Sequence, residues 1–454
     1  MKNDKEPNKN LNKDDKLSRK NFLKKSGMAA AAFAATPSLF QSPVFGKAPA
    51  TGSVLGANDR LVAGFIGVGG QGFNAHLRGG VVGQAAEQNV VGAAACDLFT
   101  KRVDRAINEL EVDSSNGYTD YRELLDRDDI DVVFIGTVDH WHTKIAIDAM
   151  DSGKDVYIEK PMTRYLGEAF EVYDTAKRTG RVVQIGSQYC TEGKWHLAAE
   201  MVRAGKIGAP VLAQDSYMRN NPNGEWNYGI DPDLSTDTID WNEWLGPVSS
   251  RPFSPDEYHR WRKYYPYCAG ILGDLLAHRV HPLLIATGEP QFPVRVVGMG
   301  TRKITTDRDV PDNTQLMAEF PNGLTIMVTG STVNEQGLGQ VIRGHEATLY
   351  FAGNRLELRP ERPFADLVDR EEHDDIQPGV DVQAHIANFF DAVRTGITPN
   401  GNIDLGIRVQ TVLSLAEMSE RLGHMLYFDP ETRVITNGSG TVIDPITYGT
   451  LELS

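Results

Sequence analysis

Residues 61–72 read LVAGFIGVGGQG, an apolar run from Leu61 to Ile66 that breaks into Gly67-x-Gly69-x-x-Gly72. Unbroken apolarity over six residues suits a strand buried on both faces, as in a parallel sheet. Gly67, Gly69 and Gly72, with Gly70 and Gln71 between them, allow a tight turn that opens directly into a helix. The first N–H groups of such a helix have no intrahelical partners and sit at its positive end, so the turn can receive a dinucleotide pyrophosphate. Glycines this dense also occur in ordinary loops, and the flanking sequence has to decide.

Downstream, apolar segments and helical stretches alternate as far as Gly186. Strands are expected over 90–96, 132–136, 155–158 and 182–186, with helices over 99–110, 142–150 and 166–178. That alternation implies right-handed crossovers and a parallel sheet covered on both faces. Asp97 ends the second strand 25 residues after Gly72, about where a carboxylate meets an adenosine ribose. Its charge would repel a 2′-phosphate and favours NAD over NADP, although Lys101 and Arg102 follow closely. A helix N-cap is the alternative role.

Two further motifs end strands of this series. Thr137-Val138-Asp139-His140-Trp141-His142 follows the third strand and Glu159-Lys160-Pro161 ends the fourth. Loops at the carboxyl ends of parallel strands are where ligands bind. His142 is also placed to open the next helix, a purely structural role. Proline holds the residue before it in extended conformations, which aims the Lys160 amine at the sheet edge. An ammonium there could bind a substrate hydroxyl and favour its alkoxide-like transition state.

In order and spacing, the glycine turn, Asp97, Thr137–His142 and Glu159-Lys160-Pro161 resemble the Gfo/Idh/MocA family of glucose-fructose oxidoreductases and inositol dehydrogenases, over about residues 59–425. The resemblance implies an N-terminal Rossmann domain, a doubly wound parallel sheet, followed by a C-terminal α/β domain with a large, mainly antiparallel open sheet. It also implies a nicotinamide cofactor and redox chemistry on sugar or polyol hydroxyls. Gln188 of Ser187-Gln188-Tyr189 falls where family members approach the nicotinamide, and 341–359 reads as strands of the open sheet. Residues 383–394 form an amphipathic helix. Sheets of this kind commonly pair subunits in the family, so a homo-oligomer is expected. The resulting division is 1–50 export signal and linker, 59–186 Rossmann domain, 187–425 substrate and oligomerisation domain, and 426–454 C-terminal extension.

Within GILGDLLAHRVH, residues 270–281, Asp274 and His278 are four apart and share a helix face, with His281 three further on. The pair matches the family's Asp-x-x-x-His arrangement. That likeness implies His278 as general base, Asp274 orienting substrate or imidazole, and Lys160 binding the reacting oxygen. A buried Asp-His pair that only stabilises the helix is one alternative. A metal held by Asp274, His278 and His281 is another, but no metal is expected. His281 is left between substrate contact and packing.

Five of the six tryptophans fall in residues 195–261, among Asn, Arg and His. Sugar rings stack C–H faces on aromatic rings and need such hydroxyl partners, so the mixture suits a carbohydrate. Trp195, His196, Arg219 and Asn220 are the expected contacts, whereas Trp241 and Trp244 read as a packed loop.

Composition narrows the classes. Of a formal charge of −15, residues 1–50 contribute ten Lys and Arg against four Asp and Glu, leaving about −21 on the remainder. That balance disfavours nucleic acid or an anionic membrane as partner and suits a small neutral substrate. Cys96, Cys190 and Cys268 are odd in number and far apart, which argues against a disulfide framework. At the N-terminus, a Lys-rich stretch precedes GMAAAAFAA, residues 27–35, too short to span a bilayer or act as a stable anchor. Ser18-Arg19-Lys20-Asn21-Phe22-Leu23-Lys24 looks like a twin-arginine export signal with Lys20 in place of the second arginine. Such a route carries folded proteins, so a periplasmic enzyme is expected to leave with its dinucleotide bound and to recycle it internally.

The expectation is an NAD-dependent oxidoreductase acting on a sugar or glycoside hydroxyl. The alternatives are a redox-neutral NAD-dependent glycosidase or lyase working through a keto-sugar, and a non-catalytic sugar-binding protein on the same fold.

Overall fold

The computed structural model describes residues 59–451. The expected export signal in 1–50 lies outside them. Six strands, β1 (Leu61–Ile66), β2 (Val90–Cys96), β3 (Gly117–Tyr118), β4 (Val132–Ile135), β5 (Asp155–Glu159) and β6 (Val183–Gly186), form a sheet in the order β3-β2-β1-β4-β5-β6. Every pairing is parallel. Strand order therefore reverses between β1 and β4, and the crevice outside their carboxyl ends is where such sheets bind ligands. The glycine turn leaves β1 at that point. All four residues of β4 are buried, as a strand covered on both faces requires.

Helices Gly72–Val81, Thr100–Leu110, Asp139–Asp151 and Leu166–Thr179 supply the crossovers. The third starts at Asp139, three residues before His142, because Val138 already adopts the extended cap conformation (ψ 152°). β3 and the helix Tyr121–Leu125 are additions to the expected pattern, both too short for a periodic signal.

The second sheet is formed by β7 (Pro210–Asn220), β8 (Arg295–Thr301), β9 (Asn313–Glu319), β10 (Thr325–Ser331), β11 (Val333–Asn334), β12 (Val341–Gly344), β13 (Ala347–Ala352), β14 (Arg355–Pro360), β15 (Glu371–His373), β16 (Leu426–Phe428) and β17 (Ile435–Asn437). Its order is β15-β14-β13-β12-β7-β10-β9-β8-β16-β17, with β11 on β7. All pairings are antiparallel except β7 with β10. Helices cover one face. On β9, Thr314, Leu316 and Ala318 are buried while Met317 between them is 44% exposed, so the opposite face is open. β16 and β17 place residues 426–437, the start of the expected C-terminal extension, in this sheet.

Two helices tie the halves together. Ile403–Leu422 buries 15 of its 20 residues, and its Glu417 receives a bidentate ion pair from buried Arg164, 2.7 Å on each oxygen. Val382–Thr395 lies beyond the Rossmann segment in sequence, yet Ile386, Phe389 and Phe390 bury in the same cluster as Phe65, Phe134 and Tyr157 of the parallel sheet. Among the described residues no helix is long and apolar enough to cross a membrane.

Candidate dinucleotide and reaction site

The turn after β1 has the close contacts that only glycine permits. Gly67 has φ +83°, and a Cβ there would lie 2.5 Å from the Thr137 nitrogen. At Gly72 a Cβ would lie 2.0 Å from the Gly67 carbonyl oxygen. The helix start is thereby pressed onto the strand end, with its free N–H groups turned outward. Asp97 braces the turn, accepting from Val68 N (3.0 Å) through one oxygen and from Phe99 N (3.0 Å) through the other. Arg105 adds a second brace, donating to Val68 O at 2.7 Å while its guanidinium covers the Phe73 ring.

In front of this turn lies a cavity of about 460 Å³ bordered by Gly67, Gly69, Gly70, Gln71, Asp97 and Thr137. Thr137 Oγ1 is buried with no protein partner. One end is walled by aromatic side chains, Tyr121, Trp141 and Trp244, and Arg102 borders the Asp97 side. A strand-end carboxylate, a glycine turn that a Cβ would fill, an orphaned hydroxyl and an aromatic slot together fit a dinucleotide. Lys101 is committed elsewhere, to Asp231 (2.9 Å) and Asp233 (2.6 Å), and Arg102 stands 3.7 Å from Asp97.

Behind Arg262 of the cavity wall, four side chains meet at Asp274. Lys160 Nζ donates to Asp274 Oδ1 (2.8 Å) and to the Asp274 carbonyl (2.6 Å). Arg262 Nε donates to the same Oδ1 at 2.9 Å, and Trp226 Nε1 to Oδ2 at 2.9 Å. Burial pushes the Asp274 carboxyl up, but Arg262 and Lys160 outweigh it and hold the group well below the usual range. Residues Leu272–Leu276 wind as a π-helix and continue as Ala277–Ala286, so Asp274 and His278 stay roughly on one face. The His278 ring packs against Tyr189 at 5.4 Å and Tyr217 at 6.1 Å, with Nδ1 buried and unpartnered. Burial, and then the Lys160 charge, keep it neutral well below the usual histidine range. The Asp274 side chain is thus bound to Lys160, Arg262 and Trp226, and of the two expected roles, orienting the substrate or the imidazole, it makes no hydrogen bond of the second kind.

Glu159 accepts from His76 Nε2 (2.8 Å) and from Gln71 Nε2 (3.3 Å), joining the end of β5 to the glycine turn. Burial acts to raise its carboxyl, but the His76 hydrogen bond and charge draw it down to about 2. Asp139, buried with Oδ2 unpartnered, is pushed up to about 7 by burial despite Arg262 and Lys160 nearby.

Several expected residues lie elsewhere. Trp195 is fully buried, tilted on Phe351 at 4.5 Å with its Nε1 bound to Glu192, and it packs in the core and does not border the cavity. His196 is bonded to the Cys190 carbonyl (2.7 Å), and Asn220 is an exposed residue at the end of β7 paired with Val333. Arg219 is engaged by Glu225 (2.7 Å) and the Tyr217 hydroxyl (3.0 Å). His281 Nδ1 is bonded to Ala277 O (2.8 Å) inside the helix, and its Nε2 is buried without a protein partner. His140 is buried with Nε2 on the Trp244 carbonyl (2.8 Å) and does not border the cavity. His142 Nδ1 is on Pro161 O (2.8 Å), and neither His142 nor half-buried Gln188, which starts the turn Gln188–Thr191, borders the cavity. Among the described residues no group of three His, Cys, Asp or Glu is placed to hold a metal ion. Trp241 stacks on Trp244 at 4.7 Å and 10°, packed as expected but on the short helix Trp241–Leu245 instead of a loop, and Trp244 also walls the cavity. The residues without an assigned role in the sequence are Arg262, Trp226, His76 and Arg105. For Trp226 and Arg262 the only hint was the Trp- and Arg-rich composition of 226–262, and His76 and Arg105 lie outside it.

The description "Oxidoreductase family, NAD-binding Rossmann fold" of Gfo/Idh/MocA matches residues 61–187, and the family's "C-terminal alpha/beta domain" matches 224–446, which carries the likeness past residue 425. A "Glycosyl hydrolase family 109 protein" of Shewanella baltica (strain OS185) is 33% identical over 222 residues, 44% of this chain and 46% of the relative. An "Alpha-N-acetylgalactosaminidase" of Shewanella oneidensis is 30% identical over 240 residues, 46% of this chain and 50% of the relative. The chain thus spans about half the length of the curated relatives it matches. Among solved structures, a levoglucosan dehydrogenase in complex with NADH and levoglucosan superposes with TM-score 0.62 at 20% identity, covering 81% of this chain and 99% of that one. An aldose-aldose oxidoreductase from Caulobacter crescentus gives 0.61 at 17%, covering 81% and 100%. With both of its domains matched by the family's own descriptions, the chain belongs to the Gfo/Idh/MocA oxidoreductase family and carries its NAD-binding Rossmann domain.

Proposed function

We propose that the protein oxidises or reduces a hydroxyl of a sugar or glycoside, with Lys160, Asp274 and His278 forming the reaction centre. NAD, when bound, supplies the hydride acceptor or donor. The single observation that carries the reading is the buried Lys160–Asp274 ion pair, 2.8 Å, which Arg262 of the cavity wall joins by donating to the same carboxylate oxygen at 2.9 Å. Two Lys160 N–H groups are used by Asp274, which leaves a third for the substrate oxygen. That charge-assisted contact strengthens as the oxygen becomes alkoxide-like. The neutral imidazole of His278 can take the hydroxyl proton. Asp97, with Lys101 tied to Asp231 and Asp233, favours NAD over NADP.

A second, redox-neutral reading is favoured by the likeness to glycosyl hydrolase family 109 proteins. Oxidation to a transient ketone, with the hydride going to NAD, would acidify the neighbouring C–H; the aglycone would leave by elimination, water would add to the enone, and return of the hydride to the ketone would restore the hydroxyl and the cofactor. Export through the twin-arginine-like signal of residues 18–35 and a periplasmic location belong to the same proposal, since they require a retained cofactor. Pairing of two copies through the open sheet face is also proposed, supported by exposed Met299 and Met317 there. Sedimentation velocity decides that point.

To test the function, the purified protein is treated with acid to release bound nucleotide. A separate, untreated portion is assayed for ketone formation and aglycone release on p-nitrophenyl glycosides, the α-N-acetylgalactosaminide among them. Lys160→Met and His278→Ala are expected to abolish both. Unaltered turnover in these variants overturns the catalytic assignment.

A further inference from the structure

Residues 221–268, between β7 and the helix that carries Asp274, form a strap with a small apolar core of its own. Leu234, Ile239, Trp241, Trp244, Leu245 and Tyr258 pack there with Phe99 of the Rossmann domain. Contacts from the Rossmann domain fasten the strap over the dinucleotide cavity. Lys101 holds Asp231 and Asp233 at 2.9 and 2.6 Å. Arg122 reaches Glu243 at 3.2 Å. The Trp244 carbonyl accepts from Trp141 Nε1 at 2.9 Å, and Gly246 passes so close that a Cβ there would lie 2.8 Å from the Trp141 ring. Tyr228, Trp244, Tyr258 and Arg262 of the strap form the wall facing the glycine turn.

The strap also reaches the reaction centre. Arg262 borders the cavity, lies over the Trp261 ring at 4.1 Å, and donates through Nε to the Asp274 oxygen that Lys160 uses. Trp226, from the same strap, donates to the other oxygen. Both side-chain oxygens that fix Asp274 are therefore held from the strap, and Asp274 in turn fixes two of the three N–H directions of Lys160.

We infer that Arg262 is a positioning residue that couples closure of the 221–268 strap over the dinucleotide to the orientation of Lys160 through Asp274. With the strap lifted, Asp274 loses Arg262 and Trp226 together, and Lys160 keeps a partner that is itself unanchored. The reaction centre is then complete only when the cofactor is enclosed. This inference rests on the reading that Lys160 binds the reacting oxygen.

The test uses the full chain. Arg262→Met removes the charge and the fork, Arg262→Lys restores a charge without the planar geometry, and Trp226→Phe deletes only the donor to Oδ2. Misplacing a catalytic group by about 1 Å costs about 100-fold, so Arg262→Met is expected to lower kcat by about that factor on the p-nitrophenyl glycoside the wild type turns over. KM changes little, Arg262→Lys recovers about tenfold, and Trp226→Phe falls in the same direction. Stopped-flow release of NADH, followed by its fluorescence, is expected to be about tenfold faster in Lys101→Ala and in Arg262→Met. Wild-type kcat in Arg262→Met or in Trp226→Phe overturns the inference, as does a loss in KM alone or no recovery with lysine. Unchanged NADH release in both release variants removes the coupling to closure. Full activity in Lys160→Met defeats the reading of the centre instead, which separates the two failures.

Discussion

Replacing Gly72 by alanine isolates the contact on which the dinucleotide turn depends. The added Cβ would lie 2.0 Å from the Gly67 carbonyl oxygen and 3.1 Å from its carbon, both backbone atoms that no rotamer change can move. Real Cβ atoms stay beyond 3.0 Å, so the helix start must retreat from the strand end by about 1 Å. Overpacking of this kind costs about 1–3 kcal/mol, and each kcal/mol lowers Tm by about 2–4 °C or less in a long chain. The retreat also carries the N–H groups away from the pyrophosphate. Losing one hydrogen bond to a charged group costs about 1.5–3 kcal/mol, or about ten- to a hundredfold in NADH Kd. Gly70→Ala is the internal control, because a Cβ there has no protein heavy atom within 4 Å. Its Tm should stay at the wild-type value, whatever happens to NADH binding. Scanning calorimetry with and without NADH, together with fluorescence titration, reads both quantities. If Gly72→Ala keeps wild-type Tm and Kd, or if the two variants lose stability equally, the account of the turn is wrong.

Asp274→Asn should leave Lys160 and Arg262 close together without their shared anion, costing about 3–5 kcal/mol in urea unfolding, with loss of turnover. A stability close to wild type would mean the two cations find another partner. His385 is buried between Thr191 Oγ1 (2.7 Å) and Ile185 O (2.9 Å), and burial lowers its pKa to about 4. A depressed histidine contributes stability above the unfolded pKa, near 6.5, and loses it as pH falls toward 4. The gap between wild type and His385→Gln should therefore narrow by at most about 3 kcal/mol over that window, and a gap independent of pH would refute the burial argument. Phe389→Ala should destabilise by about 3–5 kcal/mol and weaken NADH binding with it, since the ring packs on Phe134 and Tyr157 of the parallel sheet. Loss confined to oligomerisation would place that helix in the other domain.

Local order was legible because it is written in short spacings. Leu61–Gly72 marks its own strand, turn and helix, and Val90–Cys96 matches the observed β2 at both ends. Asp97, Thr137 and Lys160 could be placed at one sheet edge because parallel strands separated by helices must put their carboxyl ends together. The amphipathic pattern of 383–394 identified a helix, and helix Val382–Thr395 is observed. The same pattern says only that one face is apolar, and it could not tell which sheet that face would meet. Trp195 and His196 sat in a sugar-like composition, yet burial in the core is a property of the packed chain, not of their neighbours in sequence.

The sequence by itself determined the alternating architecture, the glycine turn and the titratable residues at strand and helix ends, since each follows from periodicity or spacing within a few residues. Only the tertiary structure decided what Asp274 does. Its partners come from 114, 48 and 12 residues away, in Lys160, Trp226 and Arg262. The Asp274 and His278 spacing suggested a pair on one helix, but a buried carboxylate is held by whichever cations and donors the folded chain brings to it. Here two of those come from a strap whose position over the cofactor cavity no local pattern records.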